Sequence, residues 1–273
     1  MNKYLLLVVG IIVCNIIYAQ PTPDYYKSAE SLNGQELKTA LFDIIKTSTA
    51  VSYKKLWDKF TLSDAKPDGT VWDMYSDTPD ETPPYVYKFK DDQCGNYKTE
   101  GDCYNREHSF PASWFNKAKP MYTDLFHIYP TDGYVNSKRS NYPFGEVDSL
   151  KITWKSENGS LLGIREGSST DIVFEPIDEY KGDFARTYFY MATRYQNLIG
   201  AWKNNTSSTE IILDGSSYIV FEEWYLDILL KWHKEDPVSE KEITRNNEVF
   251  KIQHSRNPFI DSTQFVSRIW SEK

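Results

Sequence analysis

Apolar positions fall into blocks of different period along the chain. Residues 4–13 are apolar throughout and follow Met1-Asn2-Lys3, but Cys14 and Asn15 interrupt the run before the ~18 residues a membrane span requires. A basic start, an apolar middle and Tyr18-Ala19-Gln20 predict an export signal over 1–19, cut after Ala19. The remaining 20–273 carries no Gly/Ser-rich linker, repeat or low-complexity block, and reads as one domain large enough to bury a core.

Helical spacing begins over 28–46, where Leu32, Leu37, Leu41, Ile44 and Ile45 fall on one face and Asn33 or Gly34 starts the element. A second helix is expected over 52–60, with Leu56, Trp57 and Phe60 inward. The pattern then changes to strands over 70–76 and 85–89, with Pro79, Pro83 and Pro84 in the loop between them. An extended stretch over 104–111 is stopped by Pro111, and 112–116 forms a helical turn. A brief strand over 124–130 leads to a short helix within 131–140, capped by Thr131 or Asp132. Farther on, 182–198 reads as an amphipathic helix carrying Arg186 and Arg194. A core helix over 221–233 stops before Asp236-Pro237, and a third helix covers 239–253. The expected fold class is α+β, mainly helical.

Charge narrows the functional classes. With 31 basic and 39 acidic side chains the net charge is -8, which argues against a protein that coats nucleic acid through a general positive field. An enzyme that grips a few phosphates locally remains compatible. Of the three cysteines, Cys14 lies in the signal, leaving Cys94 and Cys103. In an exported chain two close cysteines most simply form one disulfide, whereas a structural zinc site would be half built.

The chemistry concentrates in Glu107, His108 and Asn136. Hydrolysing a phosphodiester needs a base for water, a cation beside the scissile phosphate and groups that hold neighbouring phosphates. Glu107 offers a hard oxygen, His108 an imidazole, and Asn136 an amide oxygen on the helix after the strand. One carboxylate, one amide and several waters suit Mg²⁺, or Mn²⁺ or Ca²⁺, better than zinc. Asn136 shares a helix face with Arg139 and Ser140, whereas Asn141 lies round the cylinder and reads as a helix-end cap. Neighbours on a regular strand face opposite ways, so Glu107 and His108 serve one phosphate only if the strand ends or bulges there. Arg106, Lys138 and Arg139 are candidate phosphate contacts, while Trp72, Trp114, Trp224 and Trp232 are assigned to the core. His127 is read as structural, and His233 and His254 receive no chemistry.

Two ordered motifs carry a resemblance. Asn105-Arg106-Glu107-His108-Ser109-Phe110-Pro111, followed by Asp124-Leu125 and by Gly133-Tyr134-Val135-Asn136-Ser137-Lys138-Arg139-Ser140-Asn141-Tyr142-Pro143-Phe144-Gly145, resembles the endonuclease I family of periplasmic and secreted bacterial nucleases. That family belongs to the ββα-metal, or His-Me finger, superfamily. The resemblance extends over the mature chain, including residues 72–76, 183–195 and 256–261. It implies a ββα-metal core and cleavage of DNA, often also RNA, with little sequence preference and 5′-phosphate ends. By the same resemblance His108 matches the general base, Glu107 and Asn136 the metal ligands, and Arg186 a catalytic phosphate contact. Phe126-His127 departs from the His-Asn pair of better-known members. The expectation is therefore a secreted or periplasmic, metal-dependent endonuclease, monomeric and free of the membrane after signal cleavage. The alternative is an inactive nucleic-acid-binding module of the same fold; a carbohydrate hydrolase would need two opposed carboxylic residues, for which no motif exists.

Overall fold

Leu37, Leu41 and Ile45 recur at helical spacing, and in the computed structural model, which describes residues 21–22, 24–79 and 81–270, they are the buried stripe of α1 (Gly34–Ile45). The export signal expected over 1–19 lies outside the described residues. Ser52 accepts the Lys55 amide and opens a 3-10 turn, Tyr53–Lys55, that runs into α2 (Leu56–Ser63) with Leu56 and Phe60 inward. The strands expected over 70–76 and 85–89 do not form; only the bridges Ala65 to Val71 and Thr70 to Lys88 occur there. The Asp73 carboxyl group is the physical reason. It accepts the Tyr75 amide at 2.8 Å and the Asp132 amide at 2.9 Å, which turns the chain instead of extending it.

The central unit comes next. β1 (Tyr104–His108) pairs antiparallel with β2 (Ile128–Asp132), Tyr104 lying opposite Asp132 and His108 opposite Ile128. The strand expected over 124–130 starts only at Ile128, because the Asp124 carboxylate accepts the Phe126 amide and sets a 3-10 turn over Leu125–His127. Asp132, rather than Thr131, caps α3 (Gly133–Arg139) by accepting the Val135 amide at 2.8 Å. Two antiparallel strands thus run directly into a helix. The expected Cys94–Cys103 disulfide is present, with Cα atoms 5.7 Å apart. It closes the segment before β1, and that segment is tied forward by Gly101 N–H to Asp132 and by Gly133 N–H to the Cys103 carbonyl.

A three-stranded antiparallel sheet, β3 (Val147–Lys155), β4 (Leu161–Arg165) and β5 (Ile172–Glu175), was not foreseen. Its outer strand shows no inward alternation, with Leu150 92% exposed, so periodicity carries little signal there. Behind it, α4 (Lys181–Arg194) lies inside the molecule and is buried from Gly182 onward, not amphipathic as expected. Its polar residues are satisfied internally: Asp183 pairs with Lys241 at 2.5 Å, and Arg186 with Glu242 at 2.5 Å. Around it pack α5 (Ser207–Ile212), α6 (Glu223–Glu235), α7 (Glu240–Gln253), α8 (Pro258–Asp261) and α9 (Gln264–Ile269). Ser239 and Glu242 form a reciprocal capping box at the start of α7. The whole is a single α+β domain of helices and two small antiparallel sheets.

Candidate active site

Strand β1 ends at His108, and the two side chains at its end part company. Glu107, 2% exposed, turns toward α3, where its Oε1 accepts the Tyr75 hydroxyl and the Arg139 Nη1 hydrogen, each at 2.9 Å. His108, 9% exposed, turns toward the loop before β2 and meets Tyr122, Phe115 and His127. Burial raises the Glu107 carboxyl above its ordinary range against the opposing pull of Arg139. Burial, followed by the neighbouring His127, pushes the His108 imidazole down to about 3.

The protonation pattern of His108 follows from its partner. Nε2 lies 3.3 Å from the Tyr122 carbonyl, an acceptor only, so Nε2 carries the hydrogen and Nδ1 presents a lone pair. His127 sits behind, fully buried, with Nε2 donating to the Met121 carbonyl at 2.7 Å. Its own carbonyl accepts both the Ser109 amide and the Ser109 hydroxyl, a backbone contact that braces the end of β1.

Asn136 is half-buried on α3, and its amide nitrogen donates to the Arg106 carbonyl at 3.4 Å. That contact places Asn136 beside the residue preceding Glu107 and leaves its side-chain oxygen to other partners. No group of three or more His, Cys, Asp or Glu that could hold a metal occurs among the described residues. One carboxylate and one amide oxygen are hard donors, and a hydrated Mg²⁺-like ion needs no larger protein cage.

The arginines divide. Arg106 is half-buried, its guanidinium 3.8 Å from the Tyr53 ring and 4.4 Å from the Trp57 ring, with Nη1 donating to the Tyr53 carbonyl. Lys138 is partly exposed, its ammonium 5.1 Å from the Tyr134 ring. Arg139, in contrast, is fully buried, and the expectation that it contacts substrate phosphate is corrected. Its nitrogens reach Glu107, the carbonyls of His108 and Ser109, and the Tyr188 hydroxyl. Arg186 is corrected likewise: it is fully buried, holds both Glu242 oxygens at 2.5 and 2.7 Å, and donates to the Asp236 carbonyl. Asn141 is not a cap; its amide reaches the Ser113 hydroxyl, while its carbonyl accepts the Trp114 indole N–H.

Three neighbours of the site were missed: Tyr75, Tyr53 and Tyr122. Tyr75 lies within the 72–76 segment that carries part of the resemblance, but nothing in its local pattern points to Glu107 thirty-two residues away. Tyr53 and Tyr122 stack at 4.6 Å, and each has lysines close in sequence: Lys54 and Lys55 beside one, Lys117 and Lys119 before the other, all exposed. Four exposed lysines thus lie within five residues of these two tyrosines in sequence.

A carboxylate, an amide oxygen and an imidazole thus come together around the end of β1, with α3 packed across it. The Endonuclease I family model matches residues 33–264, and the chain belongs to that family. It is 35% identical over 255 residues to an extracellular ribonuclease of Bacillus amyloliquefaciens, covering 91% of this chain and 78% of that protein. A Bacillus subtilis (strain 168) extracellular ribonuclease is 33% identical over 91% of this chain and 79% of its own length. A periplasmic deoxyribonuclease of Aeromonas hydrophila is 26% identical over 57% of this chain and 53% of its own.

Proposed function

We propose that the protein is an exported, divalent-cation-dependent endonuclease that hydrolyses phosphodiesters of both RNA and DNA with little sequence preference and leaves 5′-phosphate ends. The observation that carries this reading is the orientation of His108: with Nε2 donating to the Tyr122 carbonyl, Nδ1 keeps the lone pair of the neutral ring and is the atom that can accept a proton. In the proposed mechanism Nδ1 takes a proton from the attacking water as oxygen bonds to phosphorus. The bond to the 3′ oxygen breaks, and the phosphate stays on the 5′ side.

Glu107 and Asn136 would hold the cation, which when bound offsets charge on the scissile phosphate and the departing oxygen. Tyr75 and Arg139 fix the Glu107 carboxylate from one oxygen, Oε1. Arg106 and Lys138, the basic side chains still accessible, would hold the flanking phosphates. Export is supported by the apolar segment at residues 4–13 and by the extracellular and periplasmic relatives. Among the described residues no helix is long and apolar enough to cross a membrane. Breadth toward both polymers is supported by relatives named for each.

The test is incubation of the purified protein with supercoiled plasmid and with RNA, each with Mg²⁺ and with excess chelator, followed by end analysis. Expected are cation-dependent fragmentation of both polymers and fragments that ligate without prior phosphorylation. Intact polymers under every divalent cation would contradict the enzyme reading and leave the binding module.

A further inference from the structure

The rings beside His108 form a layered stack that ends on the partly buried Tyr122. The Arg106 guanidinium at 3.8 Å and the Tyr122 ring at 4.6 Å lie too close to Tyr53 to share a face, so they cover its two sides. Trp57 closes the far side of Arg106 at 4.4 Å. At the other end, Tyr122 is nearly parallel to both Tyr53 and His108, at 20° and 17°. Tyr53 and His108 are themselves 6.1 Å apart. Rings on opposite faces of Tyr122 would stand two contact layers apart, about 7 Å or more. Tyr53 and His108 therefore lie side by side under one face of Tyr122. Among the described residues, no ring or cation covers the other face.

We propose that this outer face of Tyr122 is a stacking platform for an unpaired base of the substrate strand, so that the site favours single-stranded nucleic acid. The inference rests on the nuclease reading and adds to it a substrate form. Stacking on an aromatic ring is tolerant of base identity, and duplexed bases cannot offer a free face without unpairing. Charge complements the ring. Exposed Lys117 and Lys119 precede Tyr122, exposed Lys54 and Lys55 follow Tyr53, and residues 112–123 contain no acid. A backbone of phosphates running past such lysines brings its bases to the ring beside the general base. The Tyr122 carbonyl orients His108 and the Tyr122 ring receives the base, so one residue sets both.

The test uses the whole mature protein and a short single-stranded oligonucleotide carrying 2-aminopurine, beside the same sequence as a duplex. In chelator, where nothing is cut, the wild type is expected to quench 2-aminopurine on binding. Tyr122→Leu should bind the single strand roughly tenfold more weakly and lose the quenching, and Tyr122→Trp should restore both. With Mg²⁺, Tyr122→Leu should raise KM for the single strand about tenfold with kcat moved far less, lowering the preference over duplex. An abasic nucleotide at the stacked position should weaken the wild type but not Tyr122→Leu. Equal binding and KM in wild type and Tyr122→Leu would overturn the proposal, as would a loss confined to kcat, which would mean that the ring acts only by holding His108. Should the wild type cut neither polymer, the nuclease reading fails while the chelated binding comparison still decides the platform. Thermal unfolding of both variants confirms that they fold.

Discussion

Arg139 is the side chain whose placement most constrains the site. Its guanidinium is fully buried, stacks 4.5 Å from the Phe144 ring, and links Glu107 on β1 to two carbonyls at the end of that strand. A buried pair loses most when one partner is removed, because the other is left charged and dry. Arg139→Met is therefore expected to lower the unfolding free energy by about 3–5 kcal/mol. Chemical denaturation measures this, and a change near zero would show that Glu107 finds another partner. Asp73 supplies a second residue-scale outcome. Burial, then the Asp132 charge, lifts its carboxyl from 3.8 to about 8. The folded state then holds this proton more tightly than the unfolded state does. The stabilising contribution is complete below the unfolded value near 3.8 and is lost as pH rises through about 8. Measured across pH 4 to 8, the stability of wild type relative to Asp73→Asn should fall with pH, by at most about 1.4 kcal/mol per unit. A difference independent of pH would place the ionised form in the native protein.

At the scale of elements, the β1, β2 and α3 unit is held in register from outside. The Cys94–Cys103 disulfide closes a short loop whose Gly101 donates to the Asp132 cap of α3. Replacing both cysteines by serine should cost on the order of 2–3 kcal/mol from loop closure. Because the loosened loop reaches the start of the Asn136 helix, cation affinity measured by titration calorimetry should weaken as well. An unchanged affinity would confine the disulfide to stability. Gly182 marks a second joint, where a Cβ would lie 2.1 Å from the Asp236 carbonyl at the end of α6. Gly182→Ala should destabilise by about 1–3 kcal/mol, read by thermal unfolding, without entering the site.

Elements with local signals were legible in the sequence. α6 and α7 appear within two residues of where apolar spacing places them, α1 starts at Gly34 inside the expected 28–46 stretch, and the strand, loop, strand, helix order around Glu107 and Asn136 was read from Pro111, Asp132 and the motif. What failed had non-local causes. Residues 70–76 read as a strand, yet Asp73 turns them by accepting the Tyr75 amide, and its second oxygen is held by the Asp132 amide 59 positions away. Arg139 and Arg186 read as surface cations because their acids lie 32 and 56 positions away. α4 reads as amphipathic because its polar residues cannot announce that Lys241, Glu242 and Asn257 await them inside.

Across the whole molecule, acidity and nucleic-acid chemistry coexist by segregation. Part of the basic charge is paired in the interior, Arg186 with Glu242, Lys241 with Asp183, Arg245 with Asp64 and Arg256 with Asp261. The net charge of -8 opposes prolonged adhesion to a polyanion, and on the proposed reading the exposed lysines close in sequence to Tyr53 and Tyr122 would supply the local hold. Binding to a single strand in chelator should weaken with salt through a few phosphate contacts only. Lys138→Ala should reduce the log-log salt slope by about 0.7 if Lys138 meets one phosphate, and a slope equal to wild type would remove it from the interface.

The central claim is that His108 is the general base of a cation-dependent nuclease, and His108→Ala tests it most directly. Its cleavage of plasmid and RNA should fall about 10²- to 10⁴-fold under saturating Mg²⁺, while binding of an oligonucleotide in chelator stays at the wild-type level. A His108→Ala protein that cuts at the wild-type rate would contradict the account.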